Sequence, residues 1–192
     1  GKDAVFTMKL ESDLRDQFLA AAEAMDRPAS QIVREFMRDF IQRQQETREH
    51  DAWFRSEVEQ AMREADDPAT VRIPNEDILS KWSSGGLSLS NAAAVQSVKV
   101  IWLSEAERNR ESQIEYFAER NPWAAVDLGD AIEAAVRRLS DYPEIGRLGR
   151  IRGTFELVIA GTPLILVYRI DPTAIAILRV LHGAQRWSPL EH

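Results

Sequence analysis

Residues 83–97, SSGGLSLSNAAAVQS, are small, polar and uncharged and carry a Gly-Gly pair. Such a stretch has nothing to bury and reads as a flexible linker. It forces the remaining sequence into two separate patterns. Before it the chain is mostly helical; after it come a strand, two helices and further strands. No internal repeat is present, so two modules are expected. Residues 190–192, Leu-Glu-His, read as a tag remnant and are kept out of fold reasoning.

Composition excludes several classes of function. There are no cysteines, which removes disulfide frameworks, thiolate metal sites and cysteine nucleophiles. No apolar run approaches the ~20 residues needed to span a bilayer. No signal-peptide pattern opens the chain, so the cytoplasm is the expected location and no membrane partner is expected. Nothing calls for a cofactor or a metal. The net charge of −7 argues against a large nucleic-acid-coating surface. That charge is unevenly spread. Residues 46–67 hold eight acids against three Arg, whereas residues 137–186 hold eight Arg against four acids. An acidic segment and a basic patch in one chain are candidates to meet each other.

Residues 1–45 begin with an alternating stretch, Ala4 to Leu10. Phe6, Met8 and Leu10 point one way; Val5, Thr7 and Lys9 point the other. Ser12 is positioned to cap a first helix carrying Leu14, Phe18, Ala22 and Met25. Ser30 is positioned to cap a second, with Ile32, Val33, Phe36, Met37, Phe40 and Ile41 as a wide apolar stripe. One strand and two helices are too little to fold alone. The economical solution is a symmetric dimer, or a higher assembly built on it, whose two strands pair as an antiparallel ribbon. Such a ribbon fits the DNA major groove, with Val5, Thr7 and Lys9 toward base edges. Arg27 and the helix start at Ser30 would hold phosphates.

The stretches VFTMKLESDLRDQF and RPASQIVREFMRDF resemble the ribbon-helix-helix repressors found in ParD/RelB-like bacterial antitoxins. The resemblance implies a dimer that binds operator DNA. Residues 46–82 have too few apolar side chains for a core of their own. A helix carrying Trp53, Phe54, Val58 and Met62 is followed by an extended piece at Val71 and Ile73. A short helix, capped by Asn75, then carries Ile78 and Trp82. Side chains of this kind suit burial against a partner. The phrase ADDPATVRIPNEDILSKW resembles toxin-neutralising antitoxin tails.

Residues 98–189 open with a strand, Val98–Leu103. A helix capped by Ser104 follows, and then a second started by Asn121-Pro122. That second helix has a continuous apolar face from Ala124 to Leu139. Three strands complete the module: 154–160, 164–170 and 174–182. The spacing predicts an antiparallel meander, giving an α+β sheet with helices on one face. The segments YPEIGRLGRIRGTFELVI, LILVYRID and RVLHGAQRW resemble the RelE/ParE toxin family. The whole chain therefore resembles a type II toxin–antitoxin pair in one polypeptide: an N-terminal ribbon-helix-helix with a helical tail, then an antiparallel sheet preceded by a helical hairpin.

The RelE/ParE family holds two chemistries. Ribosome-dependent endoribonucleases need a proton acceptor, a donor and cations around the scissile phosphate. Here Ile165 stands where the resemblance would place an Arg before Leu-Val-Tyr, and the strand around Glu156 lacks Lys. The other branch resembles ParE, which poisons DNA gyrase and is not known as an enzyme. Gyrase is accordingly the expected target, with ribosome and mRNA as the alternative and His182 as the candidate base. A third reading is a DNA-binding repressor with an inert C-terminal module. The expected functional surface of the toxin is Arg150, Arg152, Arg169, Arg179, His182, Arg186 and Trp187. The tail is expected to cover it, within one chain or across a dimer.

Overall fold

The computed structural model describes residues 5–83 and 98–184. The linker expectation falls almost wholly on residues 84–97, and Arg186, Trp187 and 190–192 also lie outside the described residues. Two compact units are distinguished, Gly1–Glu49 and His50–His192.

In the first unit, Val5 to Leu10 take no regular structure in the single chain. Helix α1 spans Ser12–Ala24. Ser12 is not its cap: Glu11 holds the N-cap position, and the Ser12 hydroxyl donates to the neighbouring Asp13 carboxylate instead. Asp26, in the left-handed region at φ 52°, turns the chain toward Pro28.

Helix α2 spans Ala29–Asp66, and the division between the units falls inside it. The two helical stretches expected around Ser30 and Trp53 are therefore one helix. No Gly or Pro interrupts residues 29–67, and Gln42–Glu46 and Gln45–Glu49 hydrogen bonds of 2.8 and 2.9 Å support its middle turns. Ser30 is its second residue rather than its cap.

In the second unit, strand β1 (Arg72–Pro74) leads into helix α3 (Asn75–Ser83). Then follow β2 (Val100–Leu103), α4 (Ser104–Ala118), α5 (Pro122–Asp141) and β3 (Arg147–Leu148). Strands β4 (Phe155–Val158), β5 (Leu164–Ile170) and β6 (Ile175–His182) complete the unit. Asn121 caps α5, its side chain accepting from the amides of Trp123 and Ala124, with Pro122 as the first helical residue. Ser104 does not cap α4; Leu103 precedes it without a side-chain cap.

The strands form one six-stranded sheet in the order β1-β2-β6-β5-β4-β3. The meander β4-β5-β6 is antiparallel. Beside it β2 runs parallel to β6, so the sheet is mixed rather than wholly antiparallel. The hairpin α4–α5 carries the chain out of β2 and over one face, so β6 can return alongside β2 in the same direction.

Helices cover both faces, not one. Leu164, Leu166, Tyr168, Ile175 and Ile177 pack against the hairpin with Leu128, Ile132, Val136 and Leu139. The alternate residues Ile165, Val167, Ala176, Leu178 and Leu181 pack against Phe54, Val58, Ala61 and Ala65 of α2. Strands buried on both faces read as unbroken apolar runs, as LILVY and IAIL do here.

Candidate functional site

The C-terminal half of α2 brings Phe54, Val58, Ala61 and Ala65 to one stripe by their three- and four-residue spacing. All four are buried. Trp53 and Met62 flank the stripe and are partly buried against the same cluster. Glu57 and Glu64, two turns apart, lie along the edge of this stripe.

Arg179 lies opposite them. Strict alternation along β6 would send its side chain to the hairpin face, with Ile175 and Ile177. The register of β5 against β6 slips instead: Val167 pairs with Arg179 and Tyr168 with Ile177, leaving Leu178 over. This bulge puts Leu178 and Arg179 both toward α2. The Arg179 side chain is fully buried. Its Nη1 and Nη2 donate to the two Glu64 oxygens at 2.8 and 3.1 Å, and its Nε lies 3.5 Å from Glu57. Burial pushes the Glu64 carboxyl up, but the hydrogen bonds from Arg179 and Gln60 outweigh it and hold the pKa below the ordinary value.

Two more arginines meet acids of the same helix. Arg169 bridges Asp66 and Asp171, each at 2.7 Å. Burial lowers its pKa, and the two carboxylates more than reverse that, so the net shift is upward. Arg150 lies 3.4 Å from Asp51, and its guanidinium stacks 3.9 Å from the centre of the Phe54 ring. Arg55 of α2 donates to the Arg150 carbonyl at 2.9 Å. Glu156, expected to repel a phosphate, is buried beneath Arg147 at 2.7 Å and the Arg150 amide at 3.0 Å. Its charge is therefore spent inside the fold. Arg152 is exposed.

His182 is half-buried at the end of β6. Burial, and then the neighbouring His50, lower its pKa. Its carbonyl accepts from His50 Nε2 at 3.0 Å, which requires the proton on that nitrogen. His50 also lies against Trp53 and Phe54.

Beyond α2 the segment crosses the sheet edge. Strand β1 adds antiparallel to β2, pairing Ile73 with Trp102. Ile73 packs against the hairpin-side core, whereas Val71 is 60% exposed and contributes little burial. The Asn75 side chain, expected as a helix cap, accepts from the buried Trp102 indole at 3.0 Å. Ile78 is then buried in the core between sheet and hairpin. Trp82 lies on α5 at Gly129, with Arg110 of α4 5.2 Å from its ring. Residues 50–82 thus hold the sheet from both faces and along one edge. The expectation that all of them meet the Arg-bearing face is corrected: Ile78 and Trp82 go to the opposite side, because β1 carries the chain around β2.

In the first unit, Val5, Thr7 and Lys9 are exposed, and so is Ser30. Arg27 is half-buried and committed to Glu35. Phe6, Met8, Phe36, Phe40 and Ile41 are each more than half exposed. Glu57, Glu64, Gly129 and Arg110 were not singled out in the sequence. The seven-residue spacing of the two acids beside the apolar stripe was the available signal. Among the described residues no cluster of three His, Asp or Glu could hold a metal ion, and no helix is long and apolar enough to cross a membrane.

A mixed sheet with an N-terminal helical hairpin, clasped by an acidic segment on its arginine-bearing face, defines the class: a sheet module held by a peptide-like arm. Residues 100–187 match the family described as ParE toxin of type II toxin-antitoxin system, parDE. The chain is 38% identical over 89 residues to Y4kP of Sinorhizobium fredii (strain NBRC 101917 / NGR234), a protein named as a candidate toxin; the alignment covers 46% of this chain and 92% of that protein. The chain belongs to the ParE toxin family, whose members pair with antitoxins in type II systems. A solved structure titled "Chromosomal ParDE TA system from P. aeruginosa" aligns with 42% of this chain and 90% of its own, at 20% identity and TM-score 0.40.

Proposed function

We propose that this chain joins a ParE toxin to its own antitoxin. Residues 1–45 act as a ribbon-helix-helix dimer on operator DNA, 46–82 neutralise, 83–97 tether, and 98–189 arrest growth by inhibiting DNA gyrase. The observation that carries the reading is the burial of Arg179 under Glu57 and Glu64. A buried guanidinium in a toxin-family sheet, answered by carboxylates from the segment that precedes the toxin, is what a neutralising arm requires. The exposed apolar side chains of the first unit support a second copy as its partner.

Two measurements test the division of labour. Changing Thr7 and Lys9 together to Ala abolishes binding to promoter DNA and leaves cells growing normally. Growth arrest by that variant would contradict the assignment of DNA contact and neutralisation to different segments. Expression of residues 98–189 without the preceding arm stops growth. Double-strand DNA breaks in those cells support gyrase, whereas messages cut on ribosomes replace it with ribonuclease action. Healthy cells containing folded fragment would leave a repressor with an inert second module.

A further inference from the structure

Gly129 lies in the middle of α5, where glycine is the poorest ordinary helix former. A mid-helix glycine with a close neighbour has a packing reason. A Cβ built there would lie 2.2 and 2.5 Å from two carbons of the Trp82 benzo ring and 2.9 Å from a third. No real contact is that short. The indole is rigid, so relief requires the whole ring to leave. Arg110 of α4 is buried, and its guanidinium lies over the same ring, 5.2 Å from its centroid. Lys81, the residue before Trp82, is ion-paired with Glu107, one turn from Arg110 on α4. The last turn of the arm is therefore fixed on both α4 and α5.

We propose that Gly129 and Arg110 form an indole-recognition notch on the toxin that determines which neutralising arm it accepts. Gly129 supplies the floor, because any side chain there occupies the ring's volume. Arg110 supplies the cationic wall that favours an aromatic ring. A toxin with a side chain at this position rejects an arm carrying Trp and accepts one carrying a small residue. Specificity here comes from a steric refusal as well as an attraction. This inference rests on residues 46–82 being the neutralising segment.

The test uses the full chain in four forms: unchanged, Gly129→Ala, Trp82→Ala and the double variant. Helix propensity alone makes Gly129→Ala stabilising in any background, raising Tm by roughly 2–4 °C. The notch predicts a reversal of sign. Gly129→Ala lowers Tm when Trp82 is present and raises it in the Trp82→Ala background. An equal rise in both backgrounds overturns the notch. Growth separates this from the reading beneath it. Arrest by Gly129→Ala, relieved in the double variant, supports notch and neutralisation together. Sign reversal in Tm with normal growth in all four supports the notch and leaves neutralisation to the arm's other contacts, whose failure would instead show as healthy cells expressing folded residues 98–189 alone.

Discussion

A single misalignment by one residue decides what Arg179 does. Leu178 is the extra residue of the β6 bulge, and it turns the guanidinium from the hairpin face to the α2 face. There it is fully buried and held by two oxygens of Glu64. Removing Glu64 leaves the buried Arg179 charge with only the longer contact to Glu57, and breaking such a pair costs about 3 kcal/mol. Glu64→Ala is expected to lose about that much in urea unfolding. Glu57→Ala, at a single longer contact, is expected to lose under about 1 kcal/mol. The acid response follows from the same carboxylate. Its folded pKa lies below the ordinary 4.5, so its contribution is complete above that value. It fades as pH falls below 4.5 through the folded pKa. Glu64→Ala therefore flattens the acid limb of the stability profile there; an unchanged limb would assign acid loss to other groups.

At the scale of elements, the short β1–α3 segment holds the sheet edge. The side-chain Oδ1 of Asn75 accepts from the Trp102 indole, and Trp102 is almost wholly buried. Asn75→Ala leaves that N–H without a partner, at a cost of about 1–3 kcal/mol. Trp102→Phe in the same background removes the orphaned donor, so the two losses are less than additive. Additive losses would show that the hydrogen bond carries no coupling. These elements also mark how far the sequence was legible. The three strands of the meander, the apolar face of α5 and its Asn121-Pro122 start follow from local spacing, and they are present. The stripe of Phe54 and Val58 was legible because helical periodicity is local. The bulge, the parallel pairing of β2 with β6 and the passage of Ile78 and Trp82 to the hairpin side were not. Each depends on which distant strand lies alongside. The caps at Ser12 and Ser104 miss by one residue, because Glu11 and Leu103 hold the extended positions before the helices. The continuity of α2 was obscured by its change of composition near residue 46, although no Gly or Pro marks an end there.

At the scale of the whole molecule, the acidic segment from His50 onward lies against the arginines of the basic one, which opposite charge alone did not decide. Glu57, Glu64 and Asp66 face arginines of strands β6 and β5, and Asp51 faces Arg150 in the loop before β4. The arm adds a strand at one edge and reaches both faces, so its hold does not rest on charge alone. In the proposed division of the chain, the fifteen residues 83–97 reach at most about 50 Å, and a tether of that length would keep the arm at an effective concentration on the order of millimolar. The most direct measurement is the growth of cells expressing the full chain with Glu57→Lys and Glu64→Lys, which changes only the arm and sets like charges against Arg179. The account predicts that the unchanged chain is tolerated and that this variant halts growth. Normal growth, with soluble full-length variant whose arm has become open to protease, would contradict it.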